Sequence, residues 1–315
     1  MGLRGEPQYP FPVSSDGESL RALRAPVNRA GLAAGAESLT MRGPFHCSLI
    51  QEFSMPAPTP SAFVSAALEA AAAAAEIIRS RYQGAFDVQI KPDDSPVTEV
   101  DIACEHAIKD VLARAFPEHG FYGEELGRES ADADYVWLID PIDGTKSFVR
   151  GYPFFSTQIA LSHHGELVAG VSSAPCFDGG QVAWAERGAG AWMDDAPLRV
   201  SDIERLARAT LSIGNVPTLA GTERWGRLGS LIRQVHRIRG YGDFYHYHLL
   251  AAGKIDVVIE SDVNILDIAA LTVILREAGG DITDLDGGPV GLETTSVLAT
   301  NGRLRGDVVG VLGCD

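Results

Sequence analysis

The stretch Trp137-Leu-Ile-Asp-Pro-Ile-Asp-Gly-Thr-Lys-Ser-Phe148 decides how this chain is read. Its first part is apolar and β-prone, so a buried strand over Tyr135–Ile139 is expected to end directly in Asp140. Pro141 has no N–H to donate and is expected to stop further sheet pairing, while Gly144 permits a tight turn. Asp140 and Asp143 then stand at a strand end, where both carboxylates can converge on one ion, and the carbonyl of Ile142 can add a third oxygen. Hard oxygen donors at this density suit Mg²⁺. An Asp-Gly pair alone usually means a turn with a solvated aspartate. The neighbouring residues of this stretch favour the site.

Three further acidic patches invite the same question, and each has a bland explanation beside the functional one. In Gly123-Glu-Glu-Leu-Gly127, Glu124 and Glu125 could supply a metal ligand and a base next to it, or simply form a solvated loop. In Ser95-Pro-Val-Thr-Glu-Val-Asp101, Thr98 and Asp101 have the spacing of a capping box, which would fully explain Asp101; the alternative places Asp101 near the metals through water. In Asn264-Ile-Leu-Asp-Ile-Ala-Ala270, Asp267 falls in the first turn of an apolar helix, where the macrodipole favours an anion anyway.

Outward from these patches, helices are expected at about 61–82 and 99–115, the second with Ala103, Ala107, Val111 and Leu112 on one face. Strands follow Tyr135–Ile139 at about 154–162, 167–173, 181–186, 191–193 and 209–214. Helices at 222–236 and 243–253, a strand at 255–260, a helix at 266–278 closed by Gly279-Gly280, a strand at 297–300 and a helix or turn at 302–312 complete the chain. No internal repeat is visible. Helices first, then adjacent strands, then mixed elements indicate layered α/β/α sheets rather than one doubly wound parallel sheet.

The first 55 residues differ. They are rich in Pro, Gly and Ser and lack any sustained period. Arg4, Arg21, Arg24, Arg29 and Arg42 balance Glu6, Asp16, Glu18, Glu37 and Glu52, so the rest of the chain carries the whole net charge of −16. The expectation is a disordered extension or a start codon placed too early, with Met55 as the natural alternative, and one domain over 56–315. No secretory apolar core is present, and the five acids argue against a transit peptide.

Composition narrows the function classes. With 45% apolar and 22% charged residues the chain is an ordinary globular one, which excludes wholesale disorder and coiled-coil architecture. The charge of −16 repels phosphate backbones, so nucleic acid is not an expected partner, and a phosphorylated substrate would need metal ions to offset the protein's own charge. Cys47, Cys104, Cys176 and Cys314 have neither disulfide-framework nor zinc-finger spacing, which suits a reducing cytoplasm. No apolar run is long enough to span a membrane.

Residues from about 60 to 312 resemble the inositol monophosphatase superfamily of metal-dependent, lithium-sensitive phosphatases. The resemblance is carried by Asp93-Asp-Ser-Pro-Val-Thr-Glu-Val-Asp101, Gly123-Glu-Glu125, Asp140-Pro-Ile-Asp-Gly-Thr145, and Leu266-Asp-Ile-Ala-Ala270 with Arg276-Glu-Ala-Gly-Gly280. It implies an αβαβα sandwich, usually dimeric, and two or three Mg²⁺ ions held by Glu124, Asp140, Asp143, Asp267 and the Ile142 carbonyl. It also implies that Asp101 and Thr145 orient the attacking water, with Glu124 among the catalytic residues. Leu266 stands where the family commonly has Trp.

Within the superfamily, Asp143-Gly-Thr-Lys-Ser-Phe-Val-Arg-Gly-Tyr-Pro153, running on into Phe155-Ser-Thr-Gln-Ile-Ala-Leu161, and Arg239-Gly-Tyr-Gly-Asp-Phe244, followed by Leu249-Leu-Ala-Ala-Gly-Lys-Ile-Asp256, resemble the histidinol-phosphate phosphatases of histidine biosynthesis. The expected reaction is Mg²⁺-dependent hydrolysis of a small phosphomonoester, histidinol phosphate; inositol 1-phosphate and 3′-phosphonucleotides are the alternatives. Substrate is expected against Asp143, Gly144, Thr145, Arg239, Asp243 and Glu260. Histidinol phosphate carries a cationic amine, which a carboxylate near the leaving group favours through a charge-assisted hydrogen bond. Asp243 and Glu260 are the candidates, although Asp243 could instead be a helix N-cap after Gly242. His246 and His248, two apart, face different ways on a helix and read as packing or surface residues.

Overall fold

The computed structural model describes residues 57–92 and 96–313. The expectations for residues 1–55, for a start at Met55, for Asp93-Asp-Ser95 and for Cys47 and Cys314 lie outside the described residues.

Helix α1 (Ala62–Arg81) is built on an alanine run, the residue that loses least on entering a helix, and Ser61 caps it by accepting the Val64 N–H. A short antiparallel ribbon, β1 (Val88–Ile90) and β2 (Pro96–Thr98), leads into α2 (Glu99–Ala115). The buried face of α2 is Val100, Asp101, Cys104, Glu105, Ile108, Val111 and Leu112; of the face expected from the sequence, Val111 and Leu112 are buried, Ala107 is half-buried and Ala103 is exposed. The capping box at Thr98 turns Asp101 inward, and the 3.6-residue period carries Cys104, Glu105 and Ile108 in with it.

The central sheet has eight strands: β3 (Gly120–Gly123), β4 (Gly127–Glu129), β5 (Tyr135–Asp143), β6 (Ser156–His163), β7 (Glu166–Ala174), β8 (Gln181–Glu186), β9 (Gly190–Met193) and β10 (Ala196–Pro197). Their order is β10-β9-β8-β7-β6-β5-β3-β4, antiparallel except for β3 beside β5. Strand β5 alternates its side chains between two cores: Trp137 and Ile139 face α1 and α2, while Leu138 faces the opposite side. Pro141 does not end the pairing. The ladder to β6 slips between Asp140 and Asp143 and resumes at Asp143–Ser156, so proline is accommodated as an irregularity rather than a stop. A one-turn helix, α3 (Thr145–Val149), starts from Gly144, whose φ of +90° is the left-handed turn its sequence position implies.

The second sheet contains β11 (Thr210–Ile213), β12 (Arg237–Arg239), β13 (Val257–Ser261), β14 (Asp281–Thr283) and β15 (Ser296–Thr300), in the order β12-β11-β13-β15-β14. Five helices flank it: α4 (Val216–Ala220), α5 (Trp225–Ile232), α6 (Asp243–Ala251), α7 (Ile265–Glu277) and α8 (Arg305–Leu312). Helix α5 is shorter at both ends than the 222–236 expected. Helix α7 is apolar almost all round, as a helix lying between two sheets must be, and it packs on β6, β7 and β8 while α6 reaches β13. On β13, Val258 faces α6 and α7, whereas Val257 and Ile259 face the outer core shared with α5 and α8. The layers are therefore α1/α2, eight-stranded sheet, α6/α7, five-stranded sheet, α4/α5/α8: the αβαβα sandwich expected from the sequence. The carboxylates lie where the C-terminal end of β5 meets the N-terminus of α7.

Candidate active site

One carboxylate oxygen from each of Asp140, Asp143 and Asp267 lies within 4.8 Å of the others. Strand β5 delivers the two aspartates of the Asp-Pro-Ile-Asp turn, and the first turn of α7 delivers the third. Asp140 is buried, and its Oδ1 accepts the Ile142 N–H at 2.9 Å, which fixes the turn. Asp267 is held by a capping box: its Oδ2 accepts the Asn264 N–H at 2.8 Å, and Asn264 in turn accepts the Leu266 N–H. The macrodipole reading of Asp267 is thus joined by a cap, and neither keeps the carboxylate out of the cluster.

The cluster carries more negative charge than it can hold alone. Burial, then Glu124, Asp143 and Asp267, push the Asp140 carboxyl well above the usual range. Burial and Asp267 do the same to Asp143. Asp267 is pushed up to about 7, chiefly by burial. Among the described residues no lysine or arginine forms an ion pair with any of the three. An all-oxygen donor set, preassembled and uncompensated, fits a hard divalent cation.

Glu124 stands beside Asp140 but outside that trio. Its Oε1 accepts Lys91 Nζ at 2.8 Å, and the same ammonium reaches Glu125 Oε1 at 2.7 Å. The solvated-loop reading of these glutamates is not what the structure shows, because both carboxylates are engaged. The loop is pinned from beneath by Glu105, which accepts the backbone N–H groups of Glu125 (2.8 Å) and Leu126 (3.0 Å). Gly123 is where this buried carboxylate passes the chain: a Cβ there would lie 1.6 Å from Glu105 Oε1.

Asp101 forms the capping box weighed for it and also reaches Thr145. Its Oδ2 closes the capping box with the Thr98 N–H and hydroxyl, and its Oδ1 lies 3.2 Å from Thr145 Oγ. Thr145 Oγ is also 3.0 Å from the Ile142 carbonyl. A small cavity of about 50 Å³ opens beside the cluster, lined by Asp143, Asp267, Asp243, Glu260, Asn215, Asp262 and Tyr247 among others.

Asp243 is not an N-cap. Gly242 occupies the cap position, without a side-chain hydrogen bond, and Asp243 follows at φ +45°, a left-handed conformation that a side chain adopts only at a cost of about 1 kcal/mol or more. Its carboxyl has no hydrogen bond among the described residues. It is pushed up to about 6 by burial and then by Glu260, with His246 and Lys146 pulling the other way. Arg239 is not brought to this cavity. It lies on β12, donates to the Ile238 carbonyl at 2.7 Å and lines a separate apolar hollow with Ile213 and Trp225. His246 and His248 do face apart, but neither is a surface residue: both are buried, His246 against Glu260 and His248 against Ser172 at 2.9 Å.

Sequence reasoning missed Glu105, Lys91, Asn264, Asn215, Asp262 and Tyr247. The Asn264-x-x-Asp267 spacing is itself a capping-box signal, and Glu105 follows Asp101 by one helical turn on the buried face. The others lie on short loops or short elements and carry no local signal.

The inositol monophosphatase family's sequence model matches residues 60–311. The chain belongs to that family. It is 42% identical over 252 residues to the histidinol-phosphatase of Mycobacterium tuberculosis, covering 77% of this chain and 95% of that protein. It is 39% identical over 237 residues to the histidinol-phosphatase of Streptomyces coelicolor, covering 71% and 86%. Among solved structures, the extragenic suppressor protein suhB of Bartonella henselae superposes with a TM-score of 0.73 at 33% identity, covering 80% of this chain and 98% of that one.

Proposed function

We propose that this phosphoric monoester hydrolase cleaves histidinol phosphate to histidinol and phosphate, with Mg²⁺ bound by Asp140, Asp143, Asp267 and Glu124 and by the Ile142 carbonyl. The observation that carries the substrate is Asp243: a strained, unpartnered carboxylate beside Glu260, on the wall of the cavity that the metal carboxylates share. Two carboxylates there suit a cationic leaving group and give a neutral polyol less, which sets histidinol phosphate above inositol 1-phosphate and 3′-phosphonucleotides.

Mg²⁺, in two or three sites, supplies charge for the phosphate oxygens and acidifies a water. The chain's own residues do the rest. Thr145 Oγ gives its hydrogen to Asp101 Oδ1 or to the Ile142 carbonyl, so its lone pairs face outward to accept a hydrogen from the attacking water. That orients the water for in-line attack on phosphorus. Asp101 is held for this task by the helix cap that uses its other oxygen. Glu105 holds the Glu124 loop in place. Glu124 would offer its carboxylate to the cation from this loop, where Lys91 Nζ bonds its Oε1 at 2.8 Å.

The domain runs over residues 56–315, works as a homodimer, and resides in the cytoplasm; no helix among the described residues is long and apolar enough to cross a membrane. The direct test is phosphate release from histidinol phosphate at saturating Mg²⁺ by the wild type and by Asp140→Asn, which keeps the shape and removes a charge. Loss of turnover with an intact fold is expected; wild-type turnover in the variant would defeat the metal assignment.

A further inference from the structure

Glu260 is held by a buried relay that reaches well behind the cavity. It sits in β13, and its Oε2 receives two hydrogen bonds, from the Tyr247 hydroxyl at 2.8 Å and from His246 Nε2 at 2.9 Å. The other ring nitrogen of His246, Nδ1, lies 3.3 Å from Ser212 Oγ. Ser212 Oγ accepts the Tyr241 backbone N–H at 3.2 Å, which leaves its own hydrogen to point at Nδ1. That arrangement makes Nε2 the nitrogen that donates to Glu260, an assignment that follows from the hydrogen-bond network. His246 is fully buried, and Ser212 with it.

The relay engages only one oxygen of the carboxylate. Glu260 Oε1 accepts no hydrogen bond among the described residues. It lies close against Gly214, where a Cβ would come within 2.1 Å of it, so only a glycine lets the chain pass the carboxylate there without displacing it. Glu260 and Asp243 line the same cavity, one clamped by two donors and the other without any. An acceptor already fixed in place loses no side-chain freedom when a ligand arrives, whereas a loose one must first be ordered.

We infer that Ser212, His246 and Tyr247 are positioning residues that hold Glu260 in one orientation, with Oε1 presented beside Asp243 to the cationic amine of the leaving group. The inference rests on the histidinol-phosphate reading above. It assigns substrate selection to side chains on α6 and β11, and His246 and Ser212 act from behind Glu260 without lining the cavity themselves. A buried polar network serving stability alone would share the geometry, so the test must separate the two.

The experiment is steady-state kinetics with Mg²⁺ on two substrates: histidinol phosphate, and para-nitrophenyl phosphate, which has no cation. The variants are Tyr247→Phe, which removes one oxygen atom, His246→Leu, which removes the donor, and His246→Gln, whose amide restores a donor at similar reach. Tyr247→Phe and His246→Leu are expected to raise KM for histidinol phosphate about five- to twentyfold, with kcat changed less than about threefold. That is less than outright loss of a charge-assisted hydrogen bond, because Glu260 stays present but is no longer held. The preference for histidinol phosphate over para-nitrophenyl phosphate should fall by the same factor, and His246→Gln should restore most of it. Equal losses on both substrates, an unchanged preference in Tyr247→Phe, or a Gln variant as impaired as the Leu variant would overturn the positioning role. Should His246→Leu fail to fold, Tyr247→Phe and His246→Gln decide the matter between them. A wild type with no preference for histidinol phosphate would refute the substrate reading itself, and the inference with it.

Discussion

Replacing Asp243 by Asn should make the protein more stable and less selective at once. The native carboxyl is pushed from its ordinary 3.8 to about 6, first by burial and then by Glu260. A carboxyl whose folded pKa is raised costs nothing below its unfolded pKa, and its penalty grows as the pH rises from the unfolded to the folded value and is complete above it. Two units at about 1.4 kcal/mol each set an upper bound near ~3 kcal/mol above pH 6, and relaxation of the coupled Glu260 brings the expected gain to about 1–3 kcal/mol. Asn tolerates the left-handed φ of +45° as well as Asp does, so the substitution isolates the charge. Thermal melts with EDTA should show Tm higher by roughly 3–8 °C at pH 8 and almost unchanged at pH 4. In the same variant kcat/KM for histidinol phosphate should fall roughly ten- to a hundredfold, the worth of a charge-assisted hydrogen bond of ~1.5–3 kcal/mol, and inositol 1-phosphate should be nearly unaffected. A Tm that does not move at pH 8, or a parallel loss on both substrates, would refute the reasoning and make Asp243 an element of the fold.

Three further outcomes are expected. Gly123→Ala would drive a Cβ into the Glu105 carboxylate and release the backbone N–H groups of Glu125 and Leu126, costing about 2–4 kcal/mol in denaturant unfolding and weakening Mg²⁺ binding; a neutral substitution would contradict the placement of Glu105. The metal-free protein should lose stability as pH rises from about 4 through about 7, because Asp140, Asp143 and Asp267 all have raised carboxyls, so the Tm gain on adding Mg²⁺ should be larger at pH 8 than at pH 5; calorimetry showing the reverse trend would count against the cluster as the cation site. A chain beginning at Met55 should keep both Tm and activity, and a clear loss of either would show that residues 1–54 belong to the working domain.

The parts legible in the sequence were those with long local signals. The alanine run of α1, the apolar β5 and the all-round apolar α7 each declare themselves within a dozen residues, and with the acidic motifs they led to the layered architecture. Strands β1, β3, β12 and β14 did not, because three or four residues are too few to show a period and are ordered by neighbours far away in the chain. Pro141 misled for a related reason: the loss of one donor was absorbed by a slip in the ladder that only the partner strand reveals. At the site, Asp101 and Asp267 looked ambiguous because each truly closes a capping box; Asp101 turns its second oxygen to Thr145, and Asp267 joins the cluster while Asn264 donates to both of its oxygens. Arg239 was named with the Arg239-Gly-Tyr-Gly-Asp-Phe244 motif, yet the edge strand β12 turns it elsewhere. The partners of Glu260 could not be foreseen, since Ser212, His246 and Tyr247 meet it only through tertiary packing.

The most direct measurement is phosphate release from histidinol phosphate, inositol 1-phosphate and adenosine 3′,5′-bisphosphate side by side, each with Mg²⁺ and with EDTA. The account predicts activity only with Mg²⁺ and a kcat/KM for histidinol phosphate at least about tenfold above the other two. Turnover that survives EDTA would contradict the metal-dependent mechanism, and a preference for either of the other substrates would contradict the role given to Asp243 and Glu260.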